Sequence, residues 1–167
     1  GFDRGHMCPH GDRAHDLEMS YSTFIMTNII PQAPNVNEKA WDILEQYCRE
    51  LVSHDHDRLY IIEVPGGQGG TGSLGKKGTR AGVKGVGPAV CWKVVVIVPE
   101  QGKDDVSEIT PATRVLAVIV PNDNKVQYDW SQYRVSINAV EKLTGDHFLS
   151  NVPPAIAAVL KQKVDTG

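Results

Sequence analysis

At 167 residues with a formal net charge of −3, the chain is long enough for one domain with a real hydrophobic core and too short for two ordinary ones. Apolar residues make up 41% and charged residues 22%, which excludes global disorder. The net charge excludes a protein that coats nucleic acid by bulk electrostatics, though it leaves room for an enzyme with one basic face. No apolar run approaches the roughly 20 residues that a membrane helix requires.

In chain order, the opening GFDRGHMCPHGDR concentrates Asp3, Arg4, His6, Cys8, His10 and Asp12. Terminal residues fray unless tied down, so so dense a polar motif at position 1 suggests that residues preceding it were cut away or are missing. Absence of a signal peptide fits processing as well as any other history. STFIMTNII (22–30) is rich in β-branched and apolar residues and predicts a strand, followed by PQAPN as a loop in which proline bars helix and ladder. From Asn35 the apolar residues recur at three- and four-residue spacing through Val52, which predicts an amphipathic helix. Asn35 followed by Glu38 resembles a capping box at its start.

LYIIEV (59–64) reads as a buried strand. The stretch from Pro65 to Pro88 holds ten of the sixteen glycines together with Lys76, Lys77, Arg80 and Lys84, and predicts a long excursion between elements. VCWKVVVIV (90–98) and RVLAVIV (114–120) are apolar almost throughout and predict strands buried on both faces. YRVSI (133–137) predicts another strand, NAVEKLTG a short helix ended by Gly145, and AIAAVLKQK a last helix entered through Pro153 and Pro154. Strands without regular intervening helices predict an α+β fold with a mixed, mainly antiparallel sheet.

A zinc site, an ordinary polar turn and a catalytic histidine in polar surroundings compete for the opening motif. On a strand, His6, Cys8 and His10 would face one side and could hold zinc with His15 or Asp16, although no familiar zinc spacing is present. Gly70 to Lys77 nearly spells a phosphate-binding loop, but the Ser or Thr needed after the lysine is absent and no helix can follow. The third reading joins the motif to the helix, where Asn37, Trp41, Glu45 and Arg49 stand four apart on one slowly drifting stripe. Each also has a plain structural reading: Asn37 in a capping turn, Trp41 in the core, Glu45 and Arg49 as an ion pair. Together, a histidine beside an arginine and an amide beside a carboxylate suit phosphodiester hydrolysis. The imidazole would serve as base near neutral pH, and a hard cation would be held by oxygen ligands.

DRGH at Asp3 to His6 and TNIIPQAPNVNEKAWDILE at Thr27 to Glu45 resemble the DNA/RNA non-specific endonucleases, the ββα-metal group. The resemblance runs on through YIIEVPGG, WKVVVIV, ITPATRVLAVIVPND and TGDHFLSNVPP, and is nearest the bacterial sugar-non-specific enzymes. It implies His6 as general base and Asn37 as the direct ligand of Mg2+, with Mn2+ as a substitute. It also implies Glu45 as the carboxylate holding the metal's water, Arg4 and Arg49 at the phosphate, and Asn28 in support. The implied substrates are DNA and RNA, cut to 5′-phosphate and 3′-hydroxyl ends. A restraining inhibitor protein, no membrane partner, and a secreted or periplasmic location go with such breadth. The alternative is a non-catalytic nucleic-acid- or protein-binding domain that retains the fold. Relatives carry strands before DRGH, so residues 1–167 are expected to be one nuclease domain lacking them. CPH at Cys8 to His10 departs from the small residues common there, leaving an accessory metal or a disulfide at Cys8 open. His10, His15, His54 and His56 are read as surface residues without a role.

Overall fold

A computed structural model of the chain describes residues 1–75, 87–100 and 106–167. The four basic residues of the glycine-rich excursion lie outside the described residues. The order of elements is β1 (Asp3–His6), α1 (Leu17–Ser22), β2 (Ile29–Gln32), a π-helical segment (Val36–Trp41), α2 (Asp42–Ser53) and β3 (Asp57–Gly66). There follow β4 (Val90–Pro99), β5 (Arg114–Pro121), β6 (Arg134–Val135), α3 (Ile137–Thr144) and α4 (Pro154–Gln162).

Strands β3-β4-β5-β6 form one sheet and β1-β2 a second, with every ladder antiparallel among the described residues. The fold is α+β as the sequence predicts, but the central sheet is uniformly antiparallel rather than mixed. The apolar runs of β4 and β5 are buried on both faces because each face has its own helical cover. Cys91, Val95, Ile97, Leu116 and Val118 pack with Leu44, Cys48 and Leu51 of α2. Trp92, Val94, Val96, Val98 and Val115 pack on the other side with Ile137 and Val140 of α3 and Leu160 of α4.

Several local expectations are corrected. Residues 22–28 are not strand. The Asp16 carboxylate accepts a hydrogen bond from Met19 N (2.7 Å) and caps α1, which ends on the first residue of the run, Ser22, with Thr23 as its C-cap. The Ser22 and Thr23 hydroxyls donate back to Met19 O and Ser20 O, a local bonding that overrides β-propensity. The strand begins only at Ile29 and includes Pro31, which pairs with Arg4. A two-stranded sheet leaves one side of β2 without a partner, where a missing N–H does no harm.

The capping box is likewise absent. Asn35 turns its side chain to Asn124 O (2.6 Å), and helical bonding starts from Ala33 O, which accepts from both Val36 N and Asn37 N. YRVSI pairs only at Arg134 and Val135, because Ser136 is already the N-cap of α3. Gly145 ends α3 with φ +80°, as its position predicts.

One buried residue breaks the apolar pattern of β4. Lys93 is 2% exposed, ion-paired to Glu63 at 2.9 Å, with its ammonium 4.7 Å from the centre of the Trp41 ring. Lys93→Met strands the Glu63 carboxylate and is expected to cost about 3–5 kcal/mol, whereas Lys93→Met with Glu63→Leu recovers most of that loss. Urea denaturation of the two variants beside the unmodified protein measures it.

Candidate active site

The site is assembled from β1, β2 and α2, the two strands and a helix that the motif predicts. Gly5 is required in β1 because Gln32, its neighbour across the pair, lies over it. A Cβ at position 5 would stand 2.0 Å from Gln32 Oε1. His6 follows at the end of the strand. Beyond it, Asn28 accepts from Cys8 N (2.8 Å) and donates to Cys8 O (2.9 Å) and Thr23 O (2.8 Å). That clamp holds the turn after His6 against backbone alone.

From the helix side, eight α-helical positions at about 100° each would leave Asn37 and Glu45 about 80° apart. The wider π-helical segment at Val36–Trp41 takes up part of that difference, and both residues line one cleft. The cleft, about 360 Å³, is bounded by His6, Pro9, His10, Gly11, Asn37, Glu38, Asp42, Glu45 and Arg49. Trp41 leaves the stripe for the core, at 1% exposure.

Of the residues the sequence nominates, His6, Asn37, Glu45 and Arg49 therefore meet in one place. Arg4 is exposed on β1 outside the cleft wall, and Asn28 sits behind the turn as a backbone clamp. The zinc arrangement fails because the strand that would align its ligands ends at His6. Among the described residues no three His, Cys, Asp or Glu side chains form a metal-holding group, and the three cysteines are free thiols.

The structure adds residues that the sequence reading passed over. Asp3 accepts a hydrogen bond from Asn37 Nδ2 at 3.1 Å, so the Asn37 amide oxygen is turned away from Asp3 and free to serve a cation. Asp12 holds Arg49 at 3.1 Å, replacing the Glu45–Arg49 pair. Phe24 meets the His6 ring edge-on at 4.9 Å and the His10 ring at 5.4 Å. His10 is exposed, as read from the sequence, and it also lines the cleft. For Asp3, Asp12 and His10 the signal was their place in the polar opening motif; for Phe24 the sequence held none.

The electrostatics divide the site. Burial lowers the pKa of His6, and the charge of His10 adds to the effect, so both favour the neutral imidazole. Its Nε2 is buried without a hydrogen-bond partner among the described residues. Burial pushes Glu45 up to about 8, and Glu63 adds to the shift, against the opposing charges of Lys93 and Arg49. An amide oxygen facing a cleft that also holds a carboxylate reluctant to ionise alone is a donor set suited to a hard divalent cation.

In the absence of a cation, Glu45 keeps its proton in the folded state to about pH 8 and loses it near 4.5 when unfolded. The unfolded chain then binds fewer protons, so stability present below pH 4.5 is lost progressively as pH rises to about 8. Glu45→Gln is expected to flatten this decline. Urea midpoints at pH 5 and pH 8 in EDTA check it, with the gap between variant and unmodified protein wider at pH 8.

A sequence profile describing DNA/RNA non-specific endonucleases matches residues 1–155. A nuclease of Nostoc sp. is 45% identical over 167 residues, covering 99% of this chain and 57% of that protein. A nuclease of Serratia marcescens is 28% identical, with 96% and 56% covered, and human mitochondrial endonuclease G is 27% identical, with 91% and 50% covered. The chain thus spans about half the length of these relatives. In backbone it matches a chain of the solved EndoG/EndoGI complex at a TM-score of 0.64 and 23% identity, over 92% of this chain and 61% of that one. With the profile matched over nearly its whole length and the DRGH strand facing the Asn37 helix, the chain belongs to the DNA/RNA non-specific endonuclease family.

Proposed function

We propose that this protein is a metal-dependent endonuclease that hydrolyses phosphodiester bonds of DNA and RNA, with His6 as the general base. The observation that carries the reading is the convergence of a neutral, unpartnered imidazole with Asn37, Glu45 and Arg49 on one open cleft. His6 takes a proton from water, and the oxygen attacks phosphorus in line with the 3′ oxygen. The bond to that oxygen breaks, and the 3′ oxygen takes up a proton from solvent, leaving a 5′-phosphate and a 3′-hydroxyl. Arg49, fixed by Asp12, and Arg4 from the rim balance the phosphate charge. Asn37 would hold Mg2+, or Mn2+ in its place, with Glu45 orienting water around it. When bound, the cation neutralises charge on the leaving oxygen. A site that grips phosphate rather than base edges accounts for breadth of substrate.

Enzymes of this breadth endanger their host, so the proposal includes export or a dedicated inhibitor. The relative in the EndoG/EndoGI structure is described there as inhibited, which supports looking for one. Free, active enzyme confined to the cytosol in blots of cell fractions would sink that part.

Supercoiled plasmid and RNA, each with Mg2+ or EDTA, provide the direct test. Both are expected to be cut only with Mg2+, and His6→Ala to lower the rate by about 10²–10⁴-fold. Cleavage should fall only below pH 6.5, because the His6 pKa is lowered from that value. Absence of cutting alongside retained binding would favour a non-catalytic binding domain instead. Asp3→Ala, which frees the Asn37 amide to rotate, is expected to weaken Mn2+ binding about 10–100-fold by calorimetry, with the fold intact by circular dichroism.

A further inference from the structure

The second imidazole in the cleft is unused by that mechanism. His10 stands on the wall that carries His6, and both rings pack on Phe24, one edge-on and one tilted. Its Nε2 is 2.9 Å from the Ser20 hydroxyl, which fixes the ring and leaves Nδ1 as the nitrogen available to a ligand. Pro9 and Gly11 flank it along the same cleft wall, and neither places a polar side chain between His10 and the opening. Charge at His10 reaches the base, since it lowers the pKa of His6.

Around it, the titratable or charged groups are His6 on β1 and Asp12 on its own turn, with Glu38, Asp42, Glu45 and Arg49 from the π-helical segment and α2 across the cleft. Asp12 is committed to Arg49, and Ser20 and Phe24 are neutral. A group fixed in direction, open to the cleft and separated from the base by one phenyl ring is placed to meet the chain of the substrate beside the bond being cut.

We propose that His10 is a substrate-binding residue that contacts a backbone phosphate flanking the scissile one. The proposal rests on the nuclease reading above. It makes the cleft a two-phosphate site, with Arg49 and His6 at the reacting phosphate and the His10 ring at a neighbour. A substrate with a single phosphodiester cannot use it, whereas any polynucleotide can, whatever its bases.

The test compares His10→Gln and His10→Lys with the unmodified protein on two substrates, an oligonucleotide and bis(p-nitrophenyl) phosphate, with Mg2+ at pH 6. His10→Gln is expected to lower kcat/KM about tenfold more on the oligonucleotide than on the single diester, mainly through KM. His10→Lys restores the oligonucleotide rate. In EDTA, where nothing is cut, binding of a labelled oligonucleotide at pH 5.5 is expected to lose about 0.7 from the magnitude of its salt slope in His10→Gln and to regain it in His10→Lys.

Equal losses on both substrates, with the melting temperature unchanged, would mean that His10 only packs against Phe24 to place His6, and would overturn the proposal. So would a glutamine variant that behaves like the unmodified protein. Binding without cutting by the unmodified protein would sink the nuclease reading alone, because the salt slope in EDTA still reports the His10 contact.

Discussion

Asn122, buried at the end of β5, commits its whole side-chain amide to three backbone groups that belong to different parts of the molecule. Its oxygen accepts from Ala33 N, where the helix of the site begins, and its nitrogen donates to Pro31 O on β2 and to Pro88 O at the entry of β4. Its own backbone N–H and C=O are taken by Ala89 O and Thr71 N. The pair β1-β2 makes no ladder with the larger sheet, so this amide stands in for the hydrogen bonds that a continuous sheet would have supplied. Asn124 repeats the device one turn on by bonding both the backbone and the side chain of Asn35. The position of His6 relative to the helix therefore depends on two asparagines outside the cleft.

The cleft is also shaped from below. Lys93 lies in the apolar face that supports α2, and burial alone would pull its proton off. The Glu63 carboxylate ion-paired to it outweighs that effect, and the Lys93 pKa is raised. The core beneath Trp41 is thus not a plain hydrocarbon floor, since it holds a compensated positive charge one helical turn from Glu45. A carboxylate at the cleft surface is then poised between burial, which favours its protonated form, and positive charge on either side, which favours ionisation.

What could be read from the sequence follows from the range of the forces involved. β4, β5, α3 and α4 were legible because burial on both faces or a regular period writes itself into composition. His6, Asn37, Glu45 and Arg49 were legible because DRGH and the helix stripe are local patterns. The stretch from Ser22 to Asn28 misled, because one capping carboxylate at Asp16 and two hydroxyls bonding backward outweighed seven residues of strand-like composition. Trp41 in the core was already the plain reading of an apolar residue on that helix, whereas nothing local could reveal that Asn35 would answer to Asn124, since that depends on a partner 89 positions away. The π-helical segment was invisible for the same reason: it registers the demands of two ends of a helix held by different neighbours.

The clamp made by Asn28 has a consequence for how such a protein can change. It bonds to both sides of Cys8 and to Thr23, and Met7 N bonds to Asn28 O, so the peptide from Cys8 to Asn28 is closed on itself at its base. Everything within that ring, including α1 with its exposed Leu17, Met19 and Tyr21, hangs from a knot already tied behind His6. Apart from the members that reach the cleft or His6, namely Asp12, His10 and Phe24, the ring can be recomposed while His6 stays where it is. Tolerance of change and fixity of the cleft are thereby assigned to separate stretches of one short loop.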